Sequence, residues 1–377
     1  MKSKFKFIAI LMLFAALAFT ACGGDDSSHS TTSWVYEIPK TGAGAISGYT
    51  LNTREDGSLQ KGAVWPSPRF TLNPDSASVT DNLTGLIWAR DANLMYSRST
   101  TPTSPDYNFD LDGTTSNDGM VTWLHALDYI KKLNTENYLG HNDWRLPNIN
   151  EFYSITNMGA DTAQWLTDHG YFTNVNFIYW SGTTYSSNTI YANGMWINSG
   201  YTCPCTKDSD YFIVWPVRGG ITSPKIPKTG QTTKYADGDD GNLQVGYDWP
   251  NPRFHDNGNG TITDYLTGLI WQKTVSTTLN TWSNAIVSCS GVSAGGYNDW
   301  RMPNRNELLS LSNFESNNNA SWLNSQGFEN AANANYWSST TNCTNTANVW
   351  PLQIGSGISQ DVIKSNSSYF WAVRGGR

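Results

Sequence analysis

Four of the five cysteines could form structural disulfide bonds, because residues 1–21 resemble an export signal and the thiols of an exported protein are normally oxidised. A bond between Cys289 and Cys343 would close a loop of about 55 residues. By lowering the entropy of the unfolded chain, it would stabilise the fold by about 4 kcal/mol. Cys203 and Cys205 flank a single proline, so a bond between them is possible but tight. A metal or redox role would need a second Cys or His pair nearby, and the sequence offers none. We therefore expect structural pairing of these cysteines.

An acidic stretch in the first half of the chain resembles part of a calcium-binding loop. Asn108, Asp110 and Asp112 supply alternating oxygen ligands and are followed by Gly113, as in the first half of an EF-hand loop. The twelfth position is Gly119, where that loop carries a bidentate Glu. Two interpretations stay open, a bound Ca²⁺ and a plain acidic turn.

Aromatic side chains are unusually abundant, with 17 Trp and 19 Tyr. Aromatic rings can fill a core or form exposed platforms for stacking against sugars. The candidates for an exposed platform are Trp196, Tyr201 and Trp350, which lie in loop-rich segments. The other interpretation is core packing, and it fits the Trp pairs that recur at matching positions in the two halves: Trp65 and Trp249, Trp88 and Trp271, Trp144 and Trp300, Trp180 and Trp337.

The recurring charged residues favour a structural role over catalysis. Arg145 and Arg301 each follow a Trp, and we expect them to be buried against an acid rather than to clamp an anion. Glu151 and Glu307 stand three residues after an Asn, the spacing of a helix capping box. The five His do not occupy equivalent positions in the two halves, which argues against a shared His-based catalytic or metal site.

The N-terminus indicates export and lipidation. Residues 1–21 combine three early lysines with a short apolar stretch, as a signal peptide does. The sequence Phe19-Thr20-Ala21-Cys22 resembles a bacterial lipobox, so Cys22 is the expected lipidation site and would anchor the protein to a membrane. Residues 22–33 lack apolar side chains and predict a flexible tether. Gly23 after the Cys, in place of Asp, favours the outer membrane; the periplasmic and surface faces both stay open.

The acidic balance limits the possible partners. The net charge is −7, and removal of a signal peptide that carries Lys2, Lys4 and Lys6 makes it more negative. A protein without a local cluster of Lys and Arg repels phosphate backbones and sulfated polymers. Nucleic acid is therefore not an expected partner.

Six blocks recur in the same order and define two tandem repeats, 34–221 and 224–377. The matched blocks are IPKTG at 38 and 226, DGSLQKG at 56 with DGNLQVG at 240, LTGLIW ending at 88 and 271, NDWRLPNINE at 142 with NDWRMPNRNE at 298, YWSGTT at 179 with YWSSTT at 336, and VRGG ending at 220 and 376. The period is too long for a solenoid, so we expect two duplicated domains.

The residue patterns predict an α+β fold for each repeat. Apolar side chains from Trp123 to Leu133 have helical spacing, and the segment after Trp282 repeats it. A second helix should begin after Asn148 and Asn304, each preceded by proline. Short alternating segments follow, and they indicate a small twisted antiparallel sheet.

The blocks TDNLTGLIW, NDWRLPN, YWS-x-T and VRGG resemble the Lcl C-terminal domain family of bacterial surface proteins. The resemblance implies a C-type lectin-like fold, two tandem copies, and adhesion to polysaccharides or glycosaminoglycans; fold alone does not fix function. The calcium-binding tripeptides of sugar-binding C-type lectins are missing from both repeats, so their calcium-dependent sugar site is not carried over.

These observations together predict a non-catalytic envelope lipoprotein with two lectin-like modules that recognise a polysaccharide or a protein. Two linked modules could raise avidity if both engage a ligand. The alternatives are an enzyme of the formylglycine-generating or peptide-modifying type on the same fold, and a purely structural envelope protein. Calcium in the 108–112 segment is the only cofactor that the residues suggest.

Overall fold

The computed structural model describes residues 36–100, 102–104, 106, 109, 118–220 and 225–376, which belong to one compact unit. We name the opening segments of the two repeats strap 1 (residues 36–66) and strap 2 (residues 225–250). The parts that follow them are body 1 (residues 67–220) and body 2 (residues 251–376). Within the described ranges, no helix is both long and apolar enough to cross a lipid bilayer.

Helices are short in both repeats. In chain order they are α1 (Asp56–Leu59), α2 (Leu94–Ser99), α3 (Trp123–Thr135), α4 (Ile149–Ile155), α5 (Thr162–His169), α6 (Asp240–Leu243), α7 (Trp282–Ser290), α8 (Arg305–Leu309) and α9 (Asn319–Ser325). Single 3₁₀ turns follow α3 and α7, at Tyr138–Gly140 and Ala294–Gly296.

The strands are also short. Body 1 contains β1 (Phe70–Leu72), β2 (Ser78–Asp81), β3 (Ile87–Ala89), β4 (Met120–Val121), β5 (Ile178–Thr184), β6 (Tyr191–Trp196), β7 (Tyr201–Thr206), β8 (Phe212–Ile213) and β9 (Val217–Arg218). Body 2 contains β10 (Phe254–Asp256), β11 (Thr261–Asp264), β12 (Ile270–Gln272), β13 (Asn280–Thr281), β14 (Asn335–Tyr336), β15 (Asn348–Val349), β16 (Leu352–Gln353), β17 (Val362–Ile363), β18 (Ser367–Ser368) and β19 (Val373–Arg374).

Each body begins and ends in the same four-stranded antiparallel sheet. The strand order is β1-β2-β3-β9 in body 1 and β10-β11-β12-β19 in body 2. Trp88 pairs with Val217, and Trp271 pairs with Val373 at the equivalent place. The LTGLIW and VRGG blocks therefore recur together because they are neighbouring strands that close each body.

The second sheet differs between the two bodies. In body 1 it has five strands in the order β4-β8-β5-β6-β7, whereas body 2 has three separate two-stranded pairs. Strands β5 and β8 run parallel at Tyr179 and Ile213, so the predicted antiparallel sheet includes one parallel pair, while its other strand pairs are antiparallel. The fold is a mixed α+β arrangement of small, mainly antiparallel sheets with few helices, as the sequence indicates.

The helices predicted from apolar spacing and capping residues are confirmed. Helix α3 buries the predicted apolar positions Trp123, Leu127, Ile130 and Leu133, whereas Leu124, also expected on that face, is 52% exposed. Helix α7 buries its predicted positions. Asn148 accepts a hydrogen bond from the backbone N–H of Glu151, whose carboxylate accepts one from the backbone N–H of Asn148, and Asn304 and Glu307 repeat this capping box. Helices α5 and α9 were not predicted, because they are short and have few apolar positions.

The recurring Trp residues mostly fill the core, as the core interpretation expects. Trp88, Trp180, Trp271 and Trp337 are fully buried, and Trp65 and Trp249 are half-buried. In body 1 the rings of Trp88 and Trp215 have centroids 4.9 Å apart. One buried apolar cluster includes residues of both bodies, such as Trp88 and Trp271, so the two repeats share a core.

The cysteine pairing differs in part from the prediction. A disulfide bond joins Cys203 to Cys205 along strand β7. The expected bond between Cys289 and Cys343 is wrong, since both are free. The physical reason is that helix α7 turns Cys289 into the core, where its thiol lies 3.6 Å from the carbonyl oxygen of Trp371. Cys343 lies after the YWSSTT block and is only partly buried.

Candidate ligand-binding clefts

Two of the recurring blocks, NDWRLPNINE with its counterpart and VRGG, converge on one buried ion pair in each body. The Arg145 guanidinium donates to both carboxylate oxygens of Glu151, at 2.5 and 2.6 Å, and to the carbonyl oxygen of Gly219 at 3.0 Å. In body 2 Arg301 makes the same bonds to Glu307 and Gly375. The expectation that these arginines pair with an acid is confirmed, and their role is to fix the NDWR block against the closing strand.

Cleft 1 lies between the NDWR block of body 1 and strap 2. It is a cavity of about 520 Å³. Body 1 contributes Asn142, Asp143 and Trp144, and strap 2 contributes the stretch that follows α6, including Gln244 and Tyr247. An ion pair on its strap side joins Lys228 to Asp248, with Nζ and Oδ1 2.6 Å apart. The cleft therefore combines amide, carboxylate and phenol groups with aromatic surface.

Cleft 2 lies at the equivalent place, between the NDWR block of body 2 and strap 1. Its volume is about 360 Å³. Body 2 contributes Asp299 and Trp300, and strap 1 contributes Arg54, Leu59 and Lys61. Because the DG-x-LQ-x-G block of one repeat meets the NDWR block of the other, both clefts are built jointly by the two repeats.

Asp143 of cleft 1 and Asp299 of cleft 2 are held in their ionised form. Burial alone would raise the pKa of Asp143, but the hydrogen bond and positive charge of Arg218 outweigh it and hold the pKa below its usual value. The hydrogen bond from Arg374 lowers the pKa of Asp299 more strongly than burial raises it. Such carboxylates accept hydrogen bonds well and are poor proton donors at neutral pH.

Of the predicted platform residues, two lie together and one is buried elsewhere. Trp196 and Tyr201 are cross-strand partners on β6 and β7, with ring centroids 6.3 Å apart, and Trp196 is 38% exposed. Trp350 is only 4% exposed and packs with the Arg305 guanidinium 5.9 Å from its ring centroid. The expectation of an exposed platform at Trp350 is therefore wrong, because the ring serves in the core of body 2.

The predicted calcium ligands Asn108, Asp110 and Asp112 lie outside the described residues. Elsewhere in the described part of the chain, no group of three or more His, Cys, Asp or Glu side chains could hold a metal ion. The nearby Asp106 is fully buried, and its carboxylate is bound by Arg98, Lys132 and the hydroxyl of Tyr129. Cys22 and the tether likewise lie outside the described residues.

A smaller cavity of about 50 Å³ lies between the two bodies. Two polar atoms beside it, Oδ1 of Asn306 and Oγ of Ser312, are buried and have no hydrogen-bond partner among the described residues. A cavity of this size with two polar groups suits ordered water better than a ligand. Clefts 1 and 2 are the larger spaces and the better candidates for a binding site.

The sequence profile of the Lcl C-terminal domain matches residues 77–218 and 260–374. The chain belongs to the Lcl C-terminal domain family. The two matched ranges fall within body 1 and body 2, so the family assignment confirms two tandem copies. Family membership points to a binding or adhesin-like module. No curated protein sequence matches the chain significantly.

Both straps lie outside the ranges that the Lcl C-terminal domain profile covers. The residues of straps 1 and 2 that line the clefts were not among the predicted site residues. A signal for them was present, since the DG-x-LQ-x-G block recurs as clearly as the NDWR block. What the sequence could not indicate is that each strap lies against the opposite body.

Proposed function

We propose that this chain is a non-catalytic binding lipoprotein of the cell envelope that recognises an oligosaccharide in clefts 1 and 2. The observation that carries the proposal is the pair of matched clefts, each formed by the same blocks and each open to a ligand. A concave site lined by a few fixed polar groups and aromatic rings is typical of small-ligand recognition.

The side chains of cleft 1 favour a sugar over a protein surface. Asn142 and Gln244 offer both amide donors and acceptors, and Asp143 offers carboxylate oxygens, which together can bind vicinal hydroxyl groups. Tyr247 adds an aromatic ring that can lie against the apolar face of a sugar ring. The low pKa of Asp143 supports binding rather than proton transfer, in line with the proposal that the protein is not an enzyme.

The membrane part of the proposal depends on the sequence. A signal peptide (residues 1–21), lipidated Cys22 and the tether of residues 22–33 would attach the paired repeats to a membrane, and Gly23 favours the outer membrane. Cys22→Ser should move the protein from the detergent phase to the aqueous phase in a detergent partition of cells. Cys343→Ser is the matched control and should leave the partition unchanged.

Glycan-array binding of the fragment 34–377 tests the ligand. We expect binding to a defined set of glycans, and the double variant Gln244→Ala with Tyr247→Ala should lose the part that depends on cleft 1. Trp196→Ala serves as the control for stacking on strands β6 and β7. If only the Trp196 variant loses binding, the site lies on that sheet and the cleft assignment is wrong. If the fragment binds no glycan but captures a protein, the saccharide assignment is wrong.

A further inference from the structure

We propose that the two repeats are interlocked by an exchange of their straps, so that neither repeat is complete alone and the chain acts as one obligate body with two clefts. The proposal concerns assembly and is independent of the identity of the ligand. It goes beyond the family assignment, because the profile of the family covers the bodies and leaves both straps outside.

The first matched contact is a buried carboxylate that each strap inserts into the opposite body. Oδ2 of Asp56, in strap 1, accepts a hydrogen bond from Thr340 of body 2 at 2.7 Å. Oδ2 of Asp240, in strap 2, accepts one from Thr183 of body 1 at 2.7 Å. Both aspartates are at most 5% exposed. Removal of the opposite body would strip each carboxylate of a partner that it needs while buried.

The second matched contact joins asparagines at the start of a helix, α4 or α8, to the backbone of the strap from the opposite repeat. Near the start of α4, Asn148 donates to the carbonyl oxygen of Val245 at 3.2 Å, and Asn150 donates to that of Pro227 at 3.1 Å. The equivalent residues at α8 make the same bonds to strap 1, where Asn304 donates to Lys61 at 3.2 Å and Asn306 donates to Pro39 at 3.1 Å. Each pair of asparagines thus fixes the strap of the other repeat.

The third matched contact is a lysine enclosed by aromatic rings from both repeats. Nζ of Lys207 lies 4.1 Å from the ring centroid of Trp123 in its own body and 5.0 Å from that of Tyr235 in strap 2. Nζ of Lys364 lies 4.3 Å from the centroid of Trp282 and 4.8 Å from that of Tyr49 in strap 1. A cation between two rings gains from both, and here one ring comes from each repeat.

Each strap also stays attached to its own body, which places it between the two. Trp65 of strap 1 packs on Trp165 of body 1, with ring centroids 5.3 Å apart. Trp249 of strap 2 packs on Trp322 of body 2 at 5.7 Å. A strap that is held on both sides cannot leave one body without losing contacts to the other.

Arg305 adds a direct contact between the bodies that is not duplicated. It is fully buried in body 2, and its guanidinium donates to the carbonyl oxygen of Gly200 in body 1. It also lies 4.9 Å from the ring centroid of Tyr153 in body 1. The equivalent residue in the first repeat is Ile149. Burying an Arg side chain without hydrogen-bonding partners costs free energy. For Arg305, body 1 supplies a large part of these partners.

The test is to cut the chain between the repeats. A specific protease site is inserted within residues 221–224 of the full chain, the protein is cleaved under native conditions, and the products are separated by size exclusion. We expect both halves to elute together at the position of the uncut protein and to separate only in denaturant. Two separately eluting, folded halves would overturn the proposal.

A second variant tests the same contacts in cleaved protein and, if the inserted site resists cleavage, in uncut protein. Thr183→Val together with Thr340→Val removes from each exchanged carboxylate the hydroxyl donor that the opposite body supplies, and leaves the donors within the straps, Thr229 and Thr41, in place. In cleaved protein it should raise the dissociation constant of the halves at least about tenfold. In uncut protein the double variant should speed the hydrogen exchange of backbone amides in both straps and in both bodies together. Thr278→Val, at an exposed position, is the control. Faster exchange in only one repeat contradicts the interlock.

Discussion

Asp56 and Asp240 are carboxylates buried between a strap and the opposite body. Burial raises the pKa of Asp56 to about 6 and that of Asp240 to about 7. Each carboxylate accepts hydrogen bonds from two threonines, which lower its pKa but offset only part of the effect of burial. The charged groups that face them are the Arg301–Glu307 pair and the Arg145–Glu151 pair, respectively. Both carboxylates bind a proton more tightly in the folded chain than in the unfolded chain.

We therefore predict that stability depends on pH through these two groups. A raised folded-state pKa gives stability that is fully present below the unfolded pKa near 4 and is lost as the pH rises through about 6 to 7. Asp240→Asn should remove the part of this pH dependence that comes from Asp240. Relative to the variant, the wild-type free energy of unfolding should fall between pH 4 and pH 8 by up to about 4 kcal/mol.

Urea unfolding at a series of pH values measures this difference. Asp237→Asn is the matched control, because Asp237 is exposed in the same strap and forms a surface ion pair with Lys234. Parallel pH profiles for the wild type and Asp240→Asn would contradict the prediction.

The arginines of the repeated blocks should differ sharply in their effect on stability. Arg145 is buried with Glu151, so Arg145→Met leaves an unpaired buried carboxylate and should cost about 3 to 5 kcal/mol. Arg218 forms a more exposed pair with Asp143, and Arg218→Met should cost about 1 kcal/mol or less. Chemical denaturation of both variants checks the contrast, and equal losses would show that the buried pair does not have the proposed role.

At the residue scale, the sequence was informative where both repeats carry the same residue type. The burial of Arg145 against an acid and the capping boxes could be predicted because each occurs twice at a fixed spacing, whereas the identity of that acid, Glu151, could not. Cys289 and Cys343 have no counterparts in the first repeat, so their pairing was inferred only from their number. Helix α7 directs Cys289 into the core, and number alone cannot indicate that direction.

At the scale of elements, the asparagines that begin α4 and α8 cap a helix and hold a strap. Asn148→Ala should lose both the cap and the bond to Val245, and should cost about 2 to 3 kcal/mol. Asn318→Ala, at the start of α9, loses a cap without a strap contact and should cost about 1 kcal/mol. Urea denaturation compares the two. Equal costs would mean that the strap contact contributes nothing.

Local patterns predicted the longer elements and failed for the shortest ones. Helices α3 and α7 have clear apolar periodicity, whereas α5 and α9 show mainly their capping residues, Asp161 and Asn318. In body 2 the second sheet is divided into three two-stranded pairs. Each strand has only two residues, which is too short for an alternating apolar pattern to be recognised in the sequence. Such strands depend on contacts that are distant in sequence.

At the scale of the whole molecule, the repeated blocks predicted two copies but not their exchange. A strap that folds back on its own body and one that crosses to the other body carry the same residues, since the two bodies are matched. The contacts of Asp56 with Thr340 and of Asp240 with Thr183 settle the arrangement by geometry. Clefts 1 and 2 follow from it, because each needs one strap from the opposite repeat.

Calorimetry of the fragment 34–377 tests this central claim most directly. If the straps interlock the repeats, the fragment should unfold in one transition whose calorimetric enthalpy equals its van't Hoff enthalpy. Asp56→Asn should shift that single transition as a whole. Two resolved transitions, or a calorimetric enthalpy near twice the van't Hoff value, would mean that the repeats unfold independently and would contradict the composite clefts.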